Sequence, residues 1–218
     1  VDLQGLVKSA VIVAASRAKR RVGRDWQQAR EPFASFFYTH RVGSSPPHAV
    51  ERSLELAKAA GASCLYREFP IPQGCGEGEL PDEPFVLASP LAGWASKQWP
   101  FDYYSRAAAA LREDGCTLVV NGAPDVRDTL ATIQGAQVHV SGIAGLINAT
   151  RRAVGVIGVD SGPLHLAAAL GRPSVAHFGP PDPACNGPCG GTLTVPPDPA
   201  ALQTYQPPAT TAPTTRPA

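Results

Sequence analysis

The chain has 218 residues, of which 44% are hydrophobic and 17% are charged, so it has the length for one or two domains and too much apolar content to be disordered throughout. Its formal net charge of +1 excludes a global electrostatic field that would recruit nucleic acid. The longest unbroken apolar run, Ala10 to Ala15, is far shorter than the roughly 18 to 20 residues that a transmembrane helix needs.

The five cysteines form an odd set without a closely spaced CxxC pair. This spacing predicts neither a disulfide framework nor a zinc site, and it is typical of a protein of the reducing cytoplasm. No metal and no cofactor are expected. The cysteines are Cys64, Cys75, Cys116, Cys185 and Cys189.

The segment from Lys8 to Arg30 is locally basic, with Asp25 as its one acidic residue. Two interpretations stay open. The segment is either a solvated helix face or a surface for an anionic partner such as a phosphorylated lipid, and the cluster Arg17 to Arg24 is its densest part.

The first part of the chain, Leu3 to about Gly61, is rich in helix-forming patterns. Within it, residues 49–60 place apolar side chains on one face and end at Gly61, a typical C-terminal cap. The stretch 69–84 is rich in proline and glycine and predicts a linker and a domain boundary. The last residues, 196–218, are rich in proline, threonine and alanine and predict a disordered tail.

Between the linker and the tail, short apolar segments alternate with segments long enough for helices. This alternation predicts a parallel, doubly wound α/β sheet whose ligand lies outside the carboxyl ends of the strands. The predicted strands are Phe85 to Ser89, Thr117 to Asn121, Gln137 to Val140, Val154 to Val159 and Ser174 to Phe178. The predicted helices are Phe101 to Glu113, Asp125 to Ile133, Ile143 to Arg152 and Pro163 to Leu170.

The most informative segment is Gly158 to Pro180. Its buried strand leads directly into a helix that begins at Asp160 and Ser161 as N-cap residues. Unpaired amides and the positive helix dipole make such a start a phosphate site, where Gly162 lets a ligand approach the backbone and His165 donates to a phosphate oxygen. An ordinary capped turn with a packed histidine is an equally open interpretation.

A second loop, Ser89 to Pro100, follows the first strand of the sheet. It contains small residues near Gly93 and the cation Lys97, which suits a departing diphosphate. Taken alone, the loop is more simply explained by a surface lysine beside a core tryptophan. The P-loop spacing GxxxxGK[ST] is absent, which argues against a nucleoside triphosphatase.

These two segments resemble family 9 glycosyltransferases, the heptosyltransferases of lipopolysaccharide core assembly. Three N-terminal stretches resemble the heptosyltransferase I branch, which adds the first heptose to the inner Kdo sugar on lipid A. The resemblance covers roughly residues 1 to 190 through the motifs SPLAGWASKQWP, DSGPLHLAAALGRPSVAHFGPPDP, VDLQGLVKSA, DWQQAREPFASFFY and HAVER.

The resemblance implies a GT-B architecture of two Rossmann-like domains with parallel sheets. It divides the chain into a partial acceptor-side domain with its linker at 1–80, a nucleotide-sugar-binding domain at 81–195, and the tail. The chain is thereby expected to begin about halfway through the N-terminal domain. The donor implied is ADP-L-glycero-D-manno-heptose, without a metal, and the location is the cytoplasmic face of the bacterial inner membrane, with peripheral contact.

The same resemblance assigns roles to residues of the donor site. Lys97 is similar to the lysine that contacts the diphosphate, and Asp160 to the aspartate that binds the donor, so these two are the expected catalytic participants. The other implied donor contacts are Ala92, Gly93, Ser141, Gly142, Ser161, Gly162 and His165. An acidic ribose ligand is expected after Gly122, and Asp125 and Asp128 are both candidates.

Family members invert the anomeric centre, with an aspartate as the base that deprotonates the acceptor hydroxyl. That aspartate lies in an earlier loop than any residue of this chain, and Asp2, expected on a later strand, is not given the role. Lys8 and Arg30 are the expected contacts of the anionic lipid A-Kdo acceptor. The full-length protein is therefore expected to be a transferase, and this chain to bind the donor without turnover.

Two alternatives remain open. The chain could belong to a related GT-B transferase with another nucleotide sugar, since a phosphate cradle recognises the diphosphate and not the sugar, or it could be a non-catalytic nucleotide-binding fragment. A nicotinamide oxidoreductase is disfavoured because no strand is followed by GxGxxG with an acidic residue about 20 positions further on.

Overall fold

The computed structural model describes residues 1–43, 48–66, 68–93, 98–178, 183–189 and 193–194. The chain divides into two compact units, Val1–Glu68 with Ala184–Asn186, and Phe69–Pro183 with the residues from Gly187 onward. The predicted tail, 196–218, lies outside the described residues. In the described part of the chain, no helix is long and apolar enough to cross a membrane.

The division between the units falls after Glu68, whereas the sequence places the boundary near residue 80. The difference arises because the proline- and glycine-rich segment is hydrogen-bonded to the second unit. The Arg151 Nη2 donates to the carbonyls of Ile71 at 2.8 Å and Pro72 at 3.1 Å, and the amide of Cys75 donates to the carbonyl of Ala144 at 3.2 Å.

The first unit is less helical than its sequence predicts. Two short parallel strands pair in register, Val22 with His40 and Arg24 with Val42. Its elements are α1 (Val7–Ala15), β1 (Val22–Arg24), a 3₁₀ helix (Pro32–Phe37), β2 (His40–Val42) and α2 (Ala49–Ala60). The helix α2 matches its prediction to the residue, and Gly61 ends it at φ +111°, a left-handed conformation that favours glycine.

Asp2 lies in a turn and not on the expected strand. Its amide donates to the carbonyl of Val22, but its Oδ1 accepts hydrogen bonds from the amides of Gln4 and Gly5 and turns the chain away. Its Oδ2 accepts hydrogen bonds from the hydroxyls of Ser9 and Tyr38, each at 2.7 Å. This buried carboxylate therefore joins the start of the chain to α1 and to the residue that follows the 3₁₀ helix.

The basic cluster does not form one solvated helix face. Arg17, Lys19 and Arg20 are exposed in a turn after α1, but Arg24 is only 7% exposed. The interpretation of Arg17 to Arg24 as a continuous cationic surface is therefore wrong at Arg24, because β1 carries that side chain into the unit.

The second unit contains one parallel sheet of six described strands, in the order β5-β4-β3-β6-β7-β8. The first strand, β3, lies in the middle, and the chain winds outward from it first to one side and then to the other. The strands are β3 (Phe85–Ser89), β4 (Thr117–Gly122), β5 (Gln137–Val140), β6 (Gly155–Val159), β7 (Ser174–His177) and β8 (Leu193–Thr194). The predicted α/β class with a doubly wound parallel sheet is thus confirmed for this unit.

Helices cover both faces of this sheet. Leu118 and Val120 point to the face that contains Tyr104 and Ala108, while Val119 between them points to the face that contains Ala149, as the two-residue period of a strand requires. The helices of this unit are α3 (Phe101–Glu113), α4 (Arg127–Leu130), α5 (Ile143–Arg152) and α6 (Gly162–Ala169), with a 3₁₀ helix at Pro124–Val126. A short helix, α7 (Pro183–Asn186), belongs to the first unit from Ala184 onward.

Among the predicted helices of this unit, Asp125 to Ile133 differs most from the helix that the structure contains. Its first turn is the 3₁₀ helix, and α4 ends at Leu130, after which the amides of Thr132 and Ile133 bond to carbonyls three residues back. The segment between Pro124 and Gly135 is therefore divided among a 3₁₀ turn, one α-helical turn and a closing turn with bonds of the 3₁₀ type.

Candidate functional site

The site lies at the carboxyl edge of the six-stranded sheet. Strands β3 and β6 pair side by side, with Ser89 opposite Gly158, yet the chain leaves them toward opposite sides. In doubly wound sheets this reversal opens a crevice in which ligands bind. A cleft of about 420 Å³ opens here, lined by Ser89, Leu91, Asn121, Gly122, Ala123, Asp125, Val126, Ser141, Gly142, Ile143, Leu146 and Pro163.

The cleft combines an apolar floor with a few polar side chains. Leu91, Val126 and Leu146 supply aliphatic surface, and the hydroxyls, amide and carboxylate of the other lining residues supply hydrogen-bonding groups. Such a lining suits a flat heteroaromatic ring with a polar rim.

One wall of the cleft is the start of α6. The carbonyl of Ser161 accepts the first helical bonds from Leu164 at 3.1 Å and His165 at 3.4 Å, so the preceding amides have no acceptor within the helix. Ser161 is the N-cap by position but not by chemistry, because its hydroxyl makes no capping bond and is buried without a partner. A Cβ at Gly162 would meet nothing within 4 Å, so the space in front of these groups is open.

Asp160 and His165 lie together at this helix start. The His165 Nε2 is 3.8 Å from the Asp160 Oδ1, and the side chain of His165 is 45% exposed while that of Asp160 is 11% exposed. The structure thus brings together the predicted residues Asp160, Ser161, Gly162 and His165.

The second predicted loop is described only in part. Ala92 and Gly93 are placed, and the Gln98 Nε2 donates to the Ala92 carbonyl at 3.0 Å, which ties the two described ends of the loop together. Gly93 is exposed, and a Cβ there would meet nothing within 4 Å. Lys97 lies outside the described residues.

Ser141 and Gly142 form the opposite wall, supported by residues that sequence reasoning did not select. The buried Asn121 Nδ2 donates to the Ser141 Oγ at 2.9 Å and also faces the Nδ1 of the buried His139 at 3.0 Å. The Glu77 Oε2 accepts a hydrogen bond from the Gly142 amide at 2.7 Å. The Gly142 amide is therefore already hydrogen-bonded, and a ligand would contact the other atoms of Gly142.

The two ring nitrogens of His139 have different partners in this network. Its Nε2 lies 2.6 Å from the carbonyl of Glu77, which can only accept, so that nitrogen carries the proton. Its Nδ1 is then the acceptor for the amide of Asn121. A polar Asn at the end of the apolar strand segment TLVVN is the sequence signal that could have indicated this network, whereas Glu77 lies more than 60 residues from His139 and gives no local signal.

The structure separates the two candidates for an acidic ligand after Gly122. Asp125 lines the cleft, and Asp128, one turn further on at the start of α4, is not among the lining residues. Both side chains are exposed.

In the first unit, the predicted acceptor residues lie on adjoining segments. Glu31 accepts a hydrogen bond from the Val7 amide at 2.7 Å and donates its own amide to the Gly5 carbonyl at 2.9 Å. Lys8, next to Val7, and Arg30, next to Glu31, are both exposed.

Among the residues that the structure places, no cluster of three or more His, Cys, Asp or Glu side chains could hold a metal ion. The five cysteines are free thiols. The described site is built from backbone amides, one imidazole, neutral polar side chains and the carboxylates of Asp125 and Asp160.

Comparisons with known proteins agree with this geometry. The model of glycosyltransferase family 9 (heptosyltransferase) matches residues 1–196. The chain is 32% identical over 206 residues to lipopolysaccharide heptosyltransferase 1 of Escherichia coli (strain K12), covering 86% of this chain and 62% of that protein. It is 30% identical to the Pseudomonas aeruginosa protein of the same description, covering 87% of this chain and 56% of that protein.

Among solved structures, the E. coli heptosyltransferase WaaC with ADP matches with a TM-score of 0.68 and 30% identity, over 88% of this chain and 64% of that one. A family 9 glycosyl transferase from Veillonella parvula DSM 2008 matches with a TM-score of 0.71 over 88% of this chain and 60% of that one, and its 18% identity supports the fold alone. The chain thus spans about three fifths of the length of the relatives it matches. It belongs to glycosyltransferase family 9, the heptosyltransferase family.

Proposed function

We propose that the second unit binds ADP-L-glycero-D-manno-heptose as the donor of an inverting transfer of heptose to Kdo-lipid A. The observation that carries this proposal is the cleft at the reversal of the strand order, beside a helix start with an open approach at Gly162 and a buried, unpartnered Ser161 hydroxyl. The relative WaaC has been solved with ADP and with ADP-2-deoxy-2-fluoro heptose, which supports the choice of nucleotide.

In this proposal the adenosine occupies the cleft and the diphosphate lies at α6. The adenine packs on Leu91 and Leu146 next to Ser141, and Asp125 accepts hydrogen bonds from the ribose hydroxyls. The amides of Gly162 and its neighbours, with the Ser161 hydroxyl and His165, hold phosphate oxygens. The backbone amides of Ala92 and Gly93 approach the same group, and we assign Lys97 to it by its place in the motif.

The chemistry proposed is a direct displacement at the anomeric carbon. The acceptor oxygen forms its bond to that carbon as the bond to the diphosphate breaks, and the base takes the proton of the acceptor hydroxyl. Positive groups at α6, together with Lys97, stabilise the charge that develops on the departing ADP, while Asp160 orients His165. We assign no residue of this chain to the base.

The first unit takes the acceptor side of a two-domain GT-B enzyme. Lys8 and Arg30 are exposed cations on segments joined through Glu31, and we propose that they contact the anionic lipid A-Kdo acceptor. The exposed cations Arg17, Lys19 and Arg20 would add attraction to an anionic leaflet, worth about 1 kcal/mol each near such a surface. The proposed location is the cytoplasmic face of the inner membrane, with reversible peripheral contact.

The donor proposal is tested by calorimetric titration of the purified chain with ADP, UDP and NAD. We expect ADP to bind in preference to the other two. Asp125→Ala should weaken ADP binding by about tenfold, the cost of removing a hydrogen-bond acceptor for the ribose. Asp128→Ala is the matched control, since it removes the same charge from a residue outside the cleft lining.

The diphosphate contacts are tested with Asp160→Ala, Lys97→Ala and Gly162→Val, each of which should weaken ADP. The Gly162 position has free space around it, so Gly162→Val should leave the melting temperature nearly unchanged while its side chain blocks the approach. Preference for UDP would replace the donor by another nucleotide sugar, and a folded chain that binds none of the three nucleotides would refute the donor site.

A further inference from the structure

The side chain of Asn121 has no hydrogen left to donate to a ligand in the cleft. Asn121 lies near the carboxyl end of β4, is 6% exposed and lines the cleft. Its Nδ2 lies 2.9 Å from the Ser141 Oγ, 3.0 Å from the His139 Nδ1 and 3.2 Å from the His139 carbonyl oxygen. The two hydrogens of this amide group are therefore shared among three acceptors of the protein itself.

The orientation of this amide group is fixed by a partner that cannot donate. A turned-over amide would exchange the oxygen and the nitrogen of Asn121, so the partners decide between the two orientations. The carbonyl oxygen of His139 only accepts hydrogen bonds, and the turned-over amide would place the Asn121 Oδ1 against it. In the orientation observed, the Oδ1 accepts no hydrogen bond from the described residues and is not buried away from solvent. The Oδ1 is therefore open to the cleft that Asn121 lines.

The hydroxyl of Ser141 supplies a donor next to this acceptor. Its Oγ accepts the hydrogen bond from Asn121, and its own hydrogen has no acceptor among the residues that the structure describes. Ser141 lines the same cleft, so this hydrogen is available to a ligand. The amide of Gly142 does not compete, because it donates to the Glu77 Oε2. This wall of the cleft therefore offers one acceptor and one donor from neighbouring side chains.

The pair of groups matches the edge of a 6-aminopurine and not that of a 6-oxopurine. Adenine carries an amino group, which donates, beside a ring nitrogen, which accepts. Guanine and hypoxanthine carry a carbonyl oxygen in place of the amino group, so two acceptors would face each other at the Asn121 Oδ1. A site built to hydrogen-bond an N–H group rejects a ligand that lacks it, because the polar group of the site is then left without a partner.

We propose that Asn121 and Ser141 select the base of the nucleotide donor. Asn121 accepts a hydrogen bond from the 6-amino group of the purine, and Ser141 donates one to a neighbouring ring nitrogen. This inference rests on the proposed donor function and adds base selection to it. His139 is a positioning residue: it is fully buried, its carbonyl and ring fix the orientation of Asn121, and its Nε2 is held at 2.6 Å by the carbonyl of Glu77.

The first test compares three nucleotides on the wild-type chain by calorimetric titration. They are ADP, inosine diphosphate, and purine riboside diphosphate, in which a hydrogen replaces the amino group. We expect ADP to bind at least about tenfold more tightly than the purine analogue, and inosine diphosphate to bind most weakly. Equal binding of all three would overturn the inference and leave the donor site intact. A folded chain that binds none of them would refute the donor site, and the inference with it.

Variants assign the discrimination to one side chain. Asn121→Ala removes the acceptor, so it should bind ADP and the purine analogue equally. Ser141→Ala is the matched control on the same wall, and it should weaken both nucleotides but keep the preference for ADP, because the two His139 acceptors still orient Asn121. The ratio of two affinities within one folded variant does not depend on its stability. A preference for ADP that survives in Asn121→Ala would overturn the role of Asn121.

Deaza analogues test the donor half of the pair. In 1-deaza-ADP and 7-deaza-ADP a C–H group replaces one of the two ring nitrogens that lie near the amino group. The wild-type chain should bind one of these analogues about fivefold more weakly than ADP, the loss of one hydrogen bond, and Ser141→Ala should not distinguish that analogue from ADP. Equal binding of ADP and both analogues by the wild type would overturn the role of Ser141.

Discussion

The two units stabilise their buried polar groups in opposite ways. The first unit buries the carboxylate of Asp2 and the guanidinium of Arg24, whereas the second unit buries the amide of Asn121 and the imidazole of His139, which are hydrogen-bonded to each other. Full charges depend on pH and on counter-ions, and neutral groups depend only on geometry. The buried Asn121–His139 pair of the second unit therefore depends chiefly on geometry, whereas the buried carboxylate of Asp2 makes the first unit sensitive to pH.

The largest expected effect comes from Asp2→Ala. The substitution removes the acceptor of four hydrogen bonds and leaves the Tyr38 hydroxyl and two amides without their partner, which should destabilise the first unit by about 3 kcal/mol. Hydrogen exchange followed by mass spectrometry should report the loss in residues 1–66. Equal loss of protection in β3 to β7 would contradict the independence of the two buried networks.

A smaller effect is expected when a charge is introduced into the neutral network. Asn121→Asp places a carboxylate opposite the carbonyl and the unprotonated nitrogen of His139, so it should cost about 2 kcal/mol in the second unit. The pKa of the introduced carboxyl group would be raised in the folded chain. The free energy of unfolding of the variant should therefore fall as pH rises through that pKa. Urea unfolding at pH 5 and pH 8 measures this pH dependence. An equal destabilisation of the variant relative to the wild type at both pH values would contradict a raised pKa.

The smallest effect is the acid response of the wild-type chain. Burial alone would raise the pKa of Asp2, but hydrogen bonds from Tyr38, Ser9 and the amides of Gln4 and Gly5 outweigh it and lower the pKa below its ordinary value of 3.8. A lowered native pKa gives stability that is present above pH 3.8 and is lost as pH falls toward the native value.

Hydrogen exchange at pH 5 and pH 3 should therefore show selective loosening of α1 and Tyr38. In the Asp2→Asn variant the extra loss between these pH values should disappear. Persistence of the full acid response in that variant would assign it to other groups.

The sequence predicts most elements of the second unit because its apolar strands and amphipathic helices are bounded by proline and glycine. Strands β3 and β5 and helices α3 and α5 begin and end where the periodicity places them. The α-helix after β4 is shorter than its pattern because the turns on both sides of it are of the 3₁₀ type, and a count of apolar positions does not distinguish the two kinds of helix.

The candidate functional residues differ in whether the sequence could predict them. Asp160, Ser161, Gly162 and His165 could be found from the sequence because a strand-to-helix turn places near neighbours in the chain together. Glu77 could not, because its role comes from contacts with His139 and Gly142, more than 60 residues away in the chain. Within the basic segment, only burial distinguishes Arg24 from the exposed cations around it.

The hydrogen-bonded segment 69–81 also determines where a protease would cut. Its composition suggests an open target, yet it is held to β5 and α5 by bonds to Ile71, Pro72, Cys75, Glu77, Glu79 and Pro81. Residues 63–66 are exposed and outside regular structure, and Tyr66 is 72% exposed. Limited chymotrypsin digestion should therefore nick the chain at Tyr66 and release a second-unit fragment that keeps its proline-rich leader.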